Sequence, residues 1–364
     1  MRKIGIKELD DIATGAGILG AGGGGDPYIG KLMAIQAIQE FGEPTLISVD
    51  DLEDDDLVLP IAMMGAPTVL AEKAMNGNEY DELFKQMERF LGKKVRAVMP
   101  IEAGGVNSMI PFIAACRNKL PIVDADAMGR AFPELQMVTF TIGDIPATPM
   151  CLTDEKGNSC ILNTISNKWT ENIARSITMT VGASVSMILY PVTGKQIKEF
   201  GIRDIVTKSE IIGKTIKDLK KSNSNNKIEE FLKVVGGYKL FAGKVSDINR
   251  ITRDAFNFGE TKIDGIDEYK GKMCEVSFQN ENLCVKVGDK ILATTPDLIT
   301  LIDIETLNPI TTDMIKYGKR VLVIAMPCDK LWRTKKGLEI AGPKYFKLDC
   351  EYVSVEELAG EKNV

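Results

Sequence analysis

A chain of 364 residues with a net charge of -6 and no histidine has the length of two domains and a charge that argues against nucleic acid or an anionic membrane as its main partner. Without histidine there is no imidazole base, no Ser-His-Asp or Cys-His machinery and no HExxH zinc site. Its seven cysteines are odd in number and scattered with no CxxC pair, so neither a disulfide framework nor a Cys-rich zinc site is indicated.

The first residues lack the apolar core of a signal peptide, and no run approaches the roughly 18 apolar residues of a membrane span; a cytoplasmic protein is expected. Residues 4–13 place Ile4, Leu9 and Ile12 at helical spacing and predict a short helix. Next come fourteen residues, Thr14 to Pro27, of which seven are glycine. Glycine inside a helix or strand costs about 0.5–1 kcal/mol relative to alanine, so this stretch predicts a backbone loop. A helix over 28–41 follows, with Asp26 suited to its N-cap and Pro27 to its first turn. A loop that feeds a helix N-terminus favours an anion.

Strands predicted over 45–49, 57–64, 94–99 and 121–123 then alternate with helices over 68–75, 79–91 and 109–117. That alternation argues for an α/β domain with a largely parallel sheet. Strands are expected over 138–142 and 147–154, a long helix over 167–185 and one more strand over 187–191. The character changes near residue 193. A polar helical segment spans 195–235, broken by Lys220-Lys221-Ser222-Asn223-Ser224-Asn225-Asn226. Beyond it the pattern is β, over 239–246, 271–279, 282–287, 290–294, 298–303 and 320–325, with a helix over 247–256 and a turn at Asn280-Glu281-Asn282. We therefore divide the chain into an α/β domain over 1–192 and a β-rich α+β domain over 193–364.

In parallel sheets ligands bind beyond the carboxyl ends of the strands. Here those ends read Met64-Gly65-Ala66-Pro67, Glu102-Ala103-Gly104-Gly105-Val106-Asn107-Ser108 and Asp124-Ala125-Asp126. Asp124 and Asp126 are two residues apart, so an extended backbone points both to one side. Close carboxylates raise one another's proton affinity and can form an acid/base pair without histidine. They could equally hold a divalent cation, or cap a helix with Arg130 neutralising them. Glu102 is a second candidate base and Asn107 an oxyanion donor, against a tight turn with an N-cap. Glu134 closes the run that begins at Asp124. Glu171 and Arg175 are an i,i+4 pair near Asn167 and Trp169. Gly342-Pro343-Lys344-Tyr345-Phe346 could close a cleft or simply pack. The letters GxGxxG occur at Gly15 to Gly20, but no strand precedes them and no Walker lysine follows, so no nucleotide cofactor is expected. Gly23, Gly24, Gly25 and Asp26 are instead read as one wall of a pocket for a small polar molecule.

The segments GGGGDP, MMGAP, EAGGVNS, VDADAMGRAFPE, NKWTENIAR and GPKYF together resemble the family named after S-methyl-thiohydantoin desulfurase. The resemblance covers nearly the whole chain and is most specific at DADAMGRAFPE. It implies an N-terminal three-layer α/β domain, a smaller β-rich C-terminal domain, and hydrolysis at a thiohydantoin or cyclic thio-imidate carbon with release of a thiol or sulfide. The residues themselves are compatible with that chemistry, offering Asp124 or Asp126 as the first candidate base for the attacking water and Glu102 as the next. Gly23, Gly24, Gly25, Asp26, Gly65, Asn107, Arg130 and Glu134 become candidate substrate contacts. A divalent metal is left open. A non-catalytic binding protein on the same scaffold is the alternative, and a homo-oligomer is expected at this size.

Overall fold

The computed structural model describes residues 1–65, 69, 77–253 and 256–360; the helix expected over 68–75 lies outside all of these but residue 69. Short apolar runs buried on both faces, as parallel strands require, build the heart of the first sheet. Its strands begin with β1 (Arg2–Lys3), β2 (Thr45–Ile47), β3 (Leu57–Gly65), β4 (Ala97–Pro100) and β5 (Ile122–Val123). A short β6 (Ala125–Asp126) follows, then β7 (Met150–Thr153), β8 (Ser159–Leu162), β9 (Ser184–Ile188) and β10 (Val192–Thr193). The order is β1-β2-β5-β4-β3-β9-β7-β8, with β10 also on β3. Strands β2, β5, β4 and β3 run parallel and the flanking strands antiparallel. The parallel heart is the part that positions a site.

After β11 (Ile202–Arg203), which pairs with β6, two helices, Ile205–Lys221 and Lys227–Val235, lead into an antiparallel second sheet. Its strands are β12 (Tyr238–Arg253), β13 (Phe256–Gly265), β14 (Met273–Gln279), β15 (Glu281–Val287), β16 (Lys290–Thr294), β17 (Leu298–Asp303), β18 (Pro309–Ile310) and β19 (Arg320–Met326), in the order β16-β15-β14-β13-β12-β19-β17-β18. The period of two along a strand shows how the domains join. On β19, Val321, Val323 and Ala325 enter a core confined to the second domain. Leu322, Ile324 and Met326 face the other way and join the core of the first domain. The two domains share a continuous apolar core.

Two expectations fail for reasons that lie outside local sequence. Residues 247–256 carry Ile248 and Ile251 at near-helical spacing, yet β12 runs on to Arg253 and Phe256 opens β13, with residues 254 and 255 outside the described residues. Pairing with β13 in the register Asp247↔Lys262 to Arg253↔Phe256 supplies the backbone partners a helix would have supplied internally. Residues 139–142 form a turn of helix rather than a strand.

The glycine run divides in two. Helix α1 covers Ile6–Leu19, so Gly15 and Gly17 are helical and only Gly20 onward is loop. A Cβ on Gly15 would lie 1.8 Å from the Ser209 carbonyl oxygen, and one on Gly213 would lie 1.8 Å from that of Asp11. Helix α1 and the helix Ile205–Lys221 thus touch backbone to backbone, and the propensity cost of glycine is offset by that approach. Helix α2 (Pro27–Phe41) starts as expected, with Asp26 accepting from the Tyr28 N–H at 2.9 Å. Gly15→Val should lower stability by about 1–3 kcal/mol through overpacking; a chemical-denaturation midpoint equal to wild type would contradict this packing.

Candidate active site

Strands β3 and β4 are parallel neighbours, and just past their carboxyl ends lies a cavity of about 270 Å³. The first domain lines it with Gly22 to Gly25, Gly65, Glu102, Asn107 and Glu134. The second domain closes it with Arg250 and Phe256 from the β12–β13 hairpin and Asn280 and Glu281 from the turn into β15.

Glu102 is the acid that the strand end delivers. It is buried; its Oε1 accepts from Asn107 Nδ2 at 2.7 Å, and the Phe132 backbone N–H donates to it as well. Burial disfavours the carboxylate and pushes its pKa up to about 7, while those two donors and the Arg130 charge pull the other way. Asn107 is clamped to β3: Oδ1 accepts from the Met63 N–H at 2.9 Å and Nδ2 donates to the Met63 carbonyl at 3.3 Å. Both amide protons are committed, so Asn107 orients Glu102 and is not free to meet an oxyanion.

The loop after α1 forms one wall. Gly22, Gly24 and Gly25 have φ of +88°, +77° and +73°, where a side chain is strained. Gly24 rests on the Glu102–Ser108 turn, its carbonyl accepting from the Val106 N–H at 2.8 Å. The Ala21 and Gly22 carbonyls accept from the N–H groups of Asn282 and Thr312, each at 2.8 Å. The loop is therefore pinned between the two domains. Asp26 caps α2 and faces a separate groove beside Lys31 and Pro309.

The two aspartates go elsewhere. Asp124 accepts from the N–H groups of Val206 and Thr207 at 2.8 and 3.2 Å and from the Thr207 hydroxyl, which caps the helix Ile205–Lys221; it does not line the cavity. Asp126 is fully buried and accepts from the Met128 and Gly129 N–H groups, shaping the turn that leads to Arg130. Burial raises the pKa of both. The capping reading weighed for this run describes Asp124. Arg130 is buried behind the cavity wall, with Nη1 donating to the Pro296 and Asp297 carbonyls at 2.8 Å each. Glu134 sits at the margin, ion-paired with Lys168 and accepting from the Tyr345 hydroxyl at 2.9 Å. That contact joins the NKWTENIAR and GPKYF segments to the site. Trp169 is half exposed and away from it.

A family model of the S-Me-THD-like N-terminal domain matches residues 7–164, and one of the S-Me-THD-like C-terminal domain matches residues 165–355. The chain belongs to the S-Me-THD-like family. The second family model takes in β9 and β10, which complete the first sheet of this S-Me-THD-like fold. A crystal structure of a protein from Chromobacterium violaceum is similar to it with a TM-score of 0.81 at 20% identity, over 98% of this chain and 100% of that one; at that identity the likeness shows the fold. No curated protein matches the chain.

The S-Me-THD-like site also holds Glu281, which no motif marked, and Arg175, which the sequence offered only as one member of an i,i+4 pair. Glu281 opens β15 inside a segment read only as a turn. Its single clue was an acid between two asparagines at a junction of apolar strands. Burial and the nearby Glu102 hold its pKa well above the carboxylate range. Arg175 lines the cavity with its guanidinium 4.2 Å over the Phe256 ring, while its Nε is paired with Glu171. Among the described residues no three Cys, Asp or Glu side chains gather as a metal ion would require, and no helix is long and apolar enough to cross a membrane. Asp124→Ala should cost about 0.5–2 kcal/mol through loss of the helix cap; an unchanged thermal midpoint would contradict that role.

Proposed function

We propose that this S-Me-THD-like chain hydrolyses a small thiohydantoin-type ring: water adds to the carbon bearing sulfur, and a thiol or sulfide leaves to give a hydantoin. The observation that carries the reading is Glu102, a buried carboxyl with its pKa near 7, at the strand end of a cavity about the size of one ring. A general base works best when its pKa lies near the working pH. Glu102 takes a proton from the attacking water, oriented by Asn107. Among the described residues the amides of Gly24 and Gly25 have no hydrogen-bond acceptor, and they are the donors we assign to oxygen or nitrogen of the ring as negative charge builds. A thiolate leaves with little help, because a thiol has a pKa near 8.5 where water has about 15.7. Histidine is therefore dispensable in a way it would not be for amide hydrolysis.

The alternative is a binding protein that uses the same cavity without turnover. Incubation with S-methyl-thiohydantoin and unalkylated thiohydantoin rings, followed by a thiol-reactive chromophore, separates the two. Thiol or sulfide release supports the hydrolase; tight binding without release supports the alternative. Glu102→Gln should reduce release by about 100- to 10,000-fold. Because Glu102 must be ionised to accept a proton, the wild-type rate should rise with pH through about 7. Asn107→Ala removes a donor that favours the ionised form, so it should move that rise to higher pH. A shift to lower pH would contradict the assignment.

A further inference from the structure

Water attack on a ring C=N carbon moves the C=N electron pair to nitrogen, and that nitrogen then needs a proton. Glu102 cannot supply it, because it is ionised at that moment to accept the water proton. We propose that Glu281, contributed by the second domain, is the general acid of this site: it holds a proton for the ring nitrogen and later takes one back from the adduct. The inference rests on the hydrolase reading above.

Three observations carry it. Glu281 lines the same cavity as Glu102 with only 2% of its surface exposed, and its Oε2 has no hydrogen-bond partner among the described residues. A buried carboxylate in that position would be costly, whereas a protonated carboxyl has a proton to offer. Room for the side chain is made by the glycine loop, since a Cβ on Gly23 would sit 1.9 Å from Glu281 Oε1 and 2.5 Å from its Cγ. The cations that face it favour its ionised form but give most of their hydrogen bonds elsewhere, and the buried Arg130 Nη2 has no partner of its own among the described residues. Arg130 gives Nε and Nη1 to the carbonyls of Ala131, Pro296 and Asp297. Arg175 gives Nε to Glu171 and Nη2 to the Pro133 carbonyl. Glu102 is the like charge that opposes ionisation of Glu281. Two carboxyls whose surroundings separate their protonation states divide into an acid and a base.

The steps balance. Water oxygen bonds to the ring carbon as Glu102 removes one water proton; the C=N electron pair goes to nitrogen, which takes the Glu281 proton. The adduct then bears a hydroxyl and the sulfur substituent on one carbon. The hydroxyl proton passes to Glu281, the C=O bond forms, and the C–S bond breaks with its pair on sulfur. Glu102 returns its proton to that thiolate. The products are a ring N–H, a carbonyl and a thiol, and both acids are restored.

The experiment compares full-length wild type, Glu281→Gln and Glu281→Asp on an S-methyl-thiohydantoin ring by thiol release across pH. Wild type should show a rate that rises with ionisation of Glu102 and falls where Glu281 ionises. Glu281→Gln should lose about 100- to 10,000-fold in kcat with KM little changed, and the falling limb should vanish. Glu281→Asp, which keeps the acid one methylene back, should retain a falling limb, and it serves if the glutamine variant does not fold. A Glu281→Gln rate and pH profile equal to wild type overturns the assignment while leaving the hydrolase reading intact. An inert wild type overturns the hydrolase reading. In that case an infrared difference spectrum between wild type and Glu281→Gln at neutral pH still tests the proton: a protonated carboxyl band supports it, and its absence overturns it.

Discussion

A guanidinium with 1% of its surface exposed has to be compensated by the protein itself, because taking a cation out of water costs several kcal/mol even after relaxation. Arg130 meets most of that requirement by reaching across the domain junction, with only its Nη2 left without a partner among the described residues. Two of its acceptors, the Pro296 and Asp297 carbonyls, belong to the second domain, and its plane lies 4.3 Å over the Phe132 ring. Phe132 in turn packs edge-on against Trp332, whose indole N–H donates to the Met128 carbonyl at 2.8 Å. The turn from Asp126 to Phe132 is thereby fixed to both domains. Since the Phe132 N–H also supports Glu102, the orientation of that acid depends on the same junction. Burial lowers the Arg130 pKa to about 10, so it stays a cation at neutral pH. Its field acts on Glu102 and Glu281 together.

The glycine run serves two different constraints. Its helical half lets α1 press against the helix Ile205–Lys221, and its loop half brings backbone close to Glu281, Gly104 and Gly105 at once. Gly105 is nearly as tight, since a Cβ there would come within 2.0 Å of the Gly25 carbonyl oxygen. Side chains in this region would push the two domains apart at the cavity. Its amides and its lack of bulk therefore make one contribution to the site, which is to let a second-domain acid approach a first-domain strand end.

Much of this was legible in sequence wherever the signal was local. The alternation of apolar runs and helices located the parallel strands, and the strand-end rule located Gly65, Glu102 and Asn107. Asp26 and Pro27 marked the start of α2. What sequence could not show was which buried groups would meet. Asp124 and Asp126 had the spacing of an acid pair, but the backbone amides of residues 206 and 207 claim the first and a turn claims the second. Glu281 carries no motif, and its place beside Gly23 depends on contacts between residues more than 250 positions apart. Strand β13 was invisible for the same reason, because its identity depends on pairing with β12 and not on its own alternation.

The most direct measurement is a crystal structure of the Glu102→Gln variant with an S-methyl-thiohydantoin ring bound. The account predicts the ring in the junction cavity, with its sulfur-bearing carbon beside residue 102, a ring nitrogen toward Glu281 and its oxygen near the amides of Gly24 and Gly25. A ring bound in the groove beside Asp26 and Lys31, with the junction cavity holding only solvent, would contradict it.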